Sequence, residues 1–362
     1  MTTTLIIAGI VILLIVVPVV CLFNRIGKAV QQSLSDSYYY HRWKNKIIYS
    51  PMGNWFELGY TEMDADVETF IVLSRNFGKD KHTIYRKGKV QQADHASFII
   101  DAHGIPKDAF HVYYENSLSI EMTIISGADP KTYQPYQLPG DPYAHSWGKD
   151  HQSVFLYGKK IEADGKTFTR INKTLAVDAL NLYAVITDFT SGSGTIESNT
   201  RVIRADKNEG GLYTAITDYY ARNNNRILFS NWKTNFTSIE FDSVDTIRTI
   251  NEENIVINNN TLLYAGHRLN DIDVVSLEII NHAFLKDNTQ VYFEGEKITS
   301  ADPETFELIH EFYSKDKHRV FFKTKVLDGL DPKTVRMDFG KQTLTDGMRK
   351  VKDGVLITGD QS

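Results

Sequence analysis

YSKDKHRVFF, residues 313–322, sets an aromatic before Ser-Lys-Asp, then a polar turn, then Val-Phe-Phe. FGKDKHTIY (77–85) and WGKDHQSVFLY (147–157) repeat that order. The β-branched and aromatic run favours a strand. Lys-Asp-Lys-His is a turn in which the aspartate can bond nearby backbone amides. The stretch therefore reads as one hairpin, written several times.

Longer copies extend the pattern over 77–98, 147–168, 284–306 and 313–335. In each, the Lys-Asp aspartate is followed 14 or 15 residues later by a second one: Asp80 by Asp94, Asp150 by Asp164, Asp287 by Asp302, Asp316 by Asp331. Four residues beyond the second aspartate stands Phe98, Phe168, Phe306 or Val335. Asp66/Phe70 and Asp129/Tyr133 share that last spacing. The Lys-Gly and Tyr-Gly pairs after the strand suit a tight hairpin turn. Ala-Asp-Pro-x-Thr-Phe reads as a capped turn whose aromatic plugs the core. Worn copies occur at 107–114, at 220–229 with Asn223 for the aspartate, and at 258–277 with Asn259 for the first aspartate and Asp273 for the second. One unit is too small to bury its own aromatic face, but stacked neighbours can.

The pattern resembles the DKNYY family. The residues that carry the resemblance are Lys79-Asp80-Lys81 with Ile84-Tyr85, Lys149-Asp150 with Val154-Phe155, Lys286-Asp287-Asn288 with Val291-Tyr292-Phe293, and Lys315-Asp316-Lys317 with Val320-Phe321-Phe322. The resemblance implies a bacterial repeat protein. It brings no activity, cofactor or functional residue with it.

The expected fold is mainly β: hairpin repeats joined by short capped turns, behind one N-terminal transmembrane helix. The run LIIAGIVILLIVVPVVCLF (5–23), from Leu5 to Phe23, carries no charge. As a helix it spans about 28 Å, near the bilayer's hydrocarbon thickness. It lacks a basic n-region and a small-residue cleavage site, so an uncleaved anchor is expected rather than a signal peptide. Ile26, Val30 and Leu34 recur every fourth residue, which extends the helix as a stem. The expected organisation is anchor and stem over 1–35, repeat blocks over 36–190 and 212–340, a flexible linker over 191–211 containing Ser-Gly-Ser-Gly, and a polar tail over 341–362. Arg25, Lys28, Arg42, Lys44 and Lys46 follow the run. They lean the bulk of the chain toward the cytoplasmic side of a bacterial inner membrane, with a periplasmic placement as the alternative.

Basic and acidic residues are nearly balanced, 40 against 45, and no basic stripe stands out, so no nucleic-acid partner is expected. The one cysteine, Cys21, lies in the apolar run and leaves no intrachain disulfide or cysteine metal site. The paired aspartates lack the dense acidic loop of a calcium site and read as turn formers. No nucleophile elbow, phosphate loop or zinc signature occurs. His82, His151 and His318 recur at the turn; His145 and His151 flank Trp147, where a pocket could form. Tyr38, Tyr39, Tyr40 and Trp43 either start the first repeat or lie at a membrane interface. No catalytic residue, metal or cofactor is expected. The leading expectation is a membrane-anchored, non-enzymatic scaffold for a protein or envelope polymer. The alternatives are an immunity or regulatory protein with one protein partner, and a hydrolase with a site near 139–151.

Overall fold

The computed structural model describes residues 25–116, 119–139, 146–192, 195–231, 233 and 236–357. The expected membrane span, 5–23, lies outside them. No helix among the described residues is long and apolar enough to cross a membrane.

The described chain is almost entirely short antiparallel strands joined in sequence order. They group into ten four-strand repeats: 26–63, 71–91, 99–124, 134–161, 169–207, 213–240, 247–269, 278–297, 307–326 and 336–356. Nine are single four-stranded sheets, and the third opens into two two-stranded ladders. The last three begin at Glu278, Glu307 and Arg336, a period of 29 residues. The chain divides into two compact bodies, Met1–Phe168 and Thr169–Ser362, with four repeats in the first and six in the second.

Burial explains why each repeat needs neighbours. The two inner strands carry the apolar residues: Phe284–Lys286 and Val291–Phe293 hold Phe284, Leu285, Val291, Tyr292 and Phe293 at 4% exposure or less. The outer strands are two to four residues long in most repeats and far more exposed. The turn between the third and fourth strands is a two-residue x-Gly in five repeats. Lys87-Gly88, Tyr157-Gly158, Ala265-Gly266, Glu294-Gly295 and Asp353-Gly354 all have positive φ at both positions. That backbone matches the twist of a strand pair. At Gly88 a close approach adds to it, for a Cβ there would sit 2.8 Å from the Tyr49 Cβ of the preceding repeat.

Four expectations are corrected. Ile26–Ala29 is the first strand of the first sheet, paired with Tyr38–His41, and not a helical stem. The 191–211 segment is no flexible linker: Asn181–Gly192 and Thr195–Lys207 form one long hairpin paired from Asn181/Lys207 to Gly192/Thr195, with one register shift between Leu182 and Tyr183. The division between bodies falls at Phe168/Thr169 instead. The 341–357 part of the tail is the inner and outer strands of a tenth repeat, with Leu344 and Val351 buried.

Candidate functional site: the carboxylates that join the repeats

The Lys-Asp aspartate ends the second strand of its repeat and is buried. Asp80 Oδ1 accepts the amides of His82 and Thr83, both at 2.8 Å, which closes its own hairpin loop. Asp80 Oδ2 faces the repeat before it and accepts the Asp66 amide at 2.8 Å and the Tyr85 hydroxyl at 3.1 Å. Asp150 takes the amides of Gln152, Ser153 and Asp129; Asp287 those of Thr289, Gln290 and Asp273; Asp316 those of His318, Arg319 and Asp302.

The capping aspartates complete a second link. Asp302 accepts the Thr305 hydroxyl at 2.5 Å, and that same hydroxyl accepts the Lys317 amide of the next repeat at 3.1 Å. Asp66 with Thr69 and Lys81, and Asp273 with Ser276 and Asn288, repeat it. Asp94 accepts the Ser97 amide and hydroxyl, and Ser97 in turn accepts the Ala109 amide. Asp164 accepts the Lys166 amide and the Thr167 hydroxyl, and Asp331 does the same with Lys333 and Thr334. The bonded partners therefore run from a capping aspartate forward to the next Lys-Asp, across the repeat boundary.

The aromatic four residues past each cap fills the space between neighbours. Phe98 lies 5.9 Å from Phe77 of its own side and 6.1 Å from Tyr113 of the next repeat. Phe306 stands between Phe284 and Phe321 at 5.7 and 6.1 Å. Phe168 packs on Trp147 at 5.9 Å, and the Lys149 ammonium reaches the Phe168 carbonyl at 3.2 Å. Val335 is buried in the equivalent apolar cluster of the last repeats.

Electrostatics follow from these bonds. Burial acts to raise the carboxyl pKa of Asp80, but the three amides and the Tyr85 hydroxyl outweigh it and hold the group below its ordinary value. Asp108 and Asp287 are lowered by the same balance. Tyr85 moves the other way, pushed up to about 12 by burial and the adjacent Asp80 charge.

Several participants escaped the sequence reading. Asp178 accepts the amides of Leu180 and Asn181 and the Tyr183 hydroxyl; Asp346 accepts those of Met348, Arg349 and Asp331. The signal was an aspartate five residues before a buried strand residue, as in Asp80/Tyr85 and Asp108/Tyr113. The serine or threonine three residues past each cap was also legible. In the first repeat His41 takes the aspartate's place, its Nδ1 accepting the amides of Trp43 and Lys44 at 3.0 and 3.2 Å. The worn seventh repeat is corrected by one residue: Asn258, not Asn259, accepts the Asp245 amide. Asn223 does hold the aspartate's position, but its amide donates to the Gly210 carbonyl, reversing the bond.

The other candidates separate. His82 and His318 are exposed on their loops, and His151 pairs with Asp129 at 3.3 Å. Trp147 is buried in the core, and His145 lies outside the described residues. Tyr38 is buried within the first repeat, while Trp43 is exposed. Among the described residues no group of three or more histidine, cysteine or carboxylate side chains is arranged to hold a metal ion. A cleft of about 410 Å³ in the first body is lined by Pro51, Leu58, Tyr60, Ile120, Lys87 and Lys89.

A family model, that of the DKNYY family, matches residues 39–210 and again 147–325. No curated protein matches the chain.

Proposed function

This chain belongs to the DKNYY family, and we propose that it is a membrane-anchored, non-enzymatic scaffold whose loop tips present a recognition surface to a protein or envelope polymer. The supporting observation is a contrast within each hairpin loop. An aspartate opens that loop in seven of the ten repeats, half-buried at Asp346 and buried in the rest, whereas the exposed residue two positions on is His82, Phe110, Gln152, Leu180, Thr289, His318 or Met348. A constant interior with a varied rim is the arrangement by which repeat proteins bind. The repeated carboxylates have their acceptor positions filled by backbone amides, so they serve the architecture. The anchor in this reading is 5–23, with the repeats toward the cytoplasm.

The test is photocrosslinking in cells from benzoylphenylalanine placed at Phe110 and Leu180, with exposed Val90 as the control position. Adducts from the tips and none from Val90 support the scaffold. A single stoichiometric protein adduct would select the immunity or regulatory reading. Substrate turnover by the purified chain would overturn both. A C-terminal tag protected from protease in intact cells and in spheroplasts supports the cytoplasmic placement, and loss in spheroplasts alone makes it periplasmic.

A further inference from the structure

The first repeat has the longest connection of its kind. Two residues join the third and fourth strands in seven repeats, 115–122 and 230–236 do so in the third and sixth, and here 50–60 do so, between Ile47–Tyr49 and Thr61–Met63. The insertion reads SPMGNWFELGY and folds as a single turn, Pro51–Gly53, followed by a short helix, Trp55–Leu58. Asn54 caps that helix by accepting the Glu57 amide at 3.3 Å. Phe56 is 76% exposed, and Met52 and Leu58 are exposed beside it. Trp43, in the preceding loop, is 68% exposed.

The chain fixes where this apolar surface lies. The apolar run ends at Phe23, and two residues of extended chain reach at most about 7 Å to Arg25. The polar layer on each side of a bilayer is about 5–7 Å deep. Arg25 is held on both sides of the exit point: its guanidinium donates to the Tyr60 hydroxyl at 2.8 Å, and its carbonyl accepts the Arg42 amide at 2.8 Å. The insertion and the Trp43 loop thus flank the residue nearest the span. Trp and Tyr are enriched at that depth. Lys87 and Lys89, on the cleft beside Leu58 and Tyr60, add ammonium groups suited to lipid phosphates.

We propose that the 50–60 insertion seats on the glycerophospholipid surface, with Phe56, Met52 and Leu58 in the headgroup layer, so that the first repeat is moored by a second contact and does not swing on the span. This rests on reading 5–23 as an anchor, and the test separates the two. The full chain with Cys21→Ser is spin-labelled singly at Leu14→Cys, Trp43→Cys, Phe56→Cys or Val275→Cys and reconstituted in phosphatidylcholine–phosphatidylglycerol vesicles. Accessibility to oxygen against a nickel chelate is then read at each site. The expected result is a shift toward oxygen at 14, 43 and 56 relative to 275. Position 14 in lipid with 43 and 56 in water overturns the mooring and leaves the anchor. Position 14 in water with 56 in lipid supports the mooring and overturns the anchor. All four in water overturns both.

Discussion

Asp80 Oδ2 lies 2.8 Å from the Asp66 backbone nitrogen, so one carboxylate closes its own loop with one oxygen and grips the previous repeat with the other. Asp80→Ala strips the acceptor from three amides and a tyrosine hydroxyl at once. Hydrogen bonds to a charged acceptor contribute strongly and leave unsatisfied donors when cut, so a loss of about 3 kcal/mol is expected. Hydrogen exchange at the amides of residues 66, 82 and 83 reads it locally, and unchanged protection there would count against the bridging role.

Acid should loosen the joints. The folded carboxyl pKa values of Asp80, Asp108 and Asp287 are lowered, so their stabilisation is full above the unfolded value of about 4 and is lost as pH falls through the folded value. Circular dichroism followed from pH 7 downward should hold level to about pH 4 and then fall. Asp108→Asn should start less stable and show a shallower acid limb; an unchanged limb would move the acid sensitivity elsewhere.

Thr305 acts through one oxygen that both donates to Asp302 and accepts from Lys317. Thr305→Val is expected to cost about 1 kcal/mol, and Thr305→Ser to restore most of it. Equal losses in the two variants, by urea denaturation, would assign the effect to packing.

Phe306 is buried between rings of two repeats. Phe306→Ala should cost about 3–5 kcal/mol, the range for emptying a core aromatic site, and should raise exchange in both 278–297 and 307–326. A loss confined to one of them would mean that the ring serves only that repeat.

Gly88 and Gly104 both have φ near +80°, but only Gly88 abuts another side chain, that of Tyr49. Gly104→Ala should cost about 1 kcal/mol from backbone strain alone. Gly88→Ala should add the overpacking term of about 1–3 kcal/mol. Equal melting shifts would show that the turn does not press on its neighbour.

The strands, the x-Gly turns and the buried plugs were legible because each depends on residues within one copy. That logic failed wherever the partner came from elsewhere. Ile26, Val30 and Leu34 have helical spacing, yet pairing of Ile26 with His41 decides the strand. Ser191 to Gly194 reads as a linker, but the Asn181–Gly192 and Thr195–Lys207 strands pair up to Gly192/Thr195. Asn258 displaced Asn259 because the loop there is one residue shorter than at Asp287. The direction of the Asp66–Asp80 bond was hidden because 14 residues separate aspartates both within a repeat and across the boundary.

The grip of each aspartate on the repeat before it also sets how such a chain would bear tension. Pulled by its far end against a fixed first repeat, a clamp such as Asp316 on the Asp302 amide must give before its neighbour can peel away. Each 29-residue repeat released in this way pays out about 100 Å of chain. The links become a series of latches, and over the last three repeats their breaking would register as even steps in extension under a steady load.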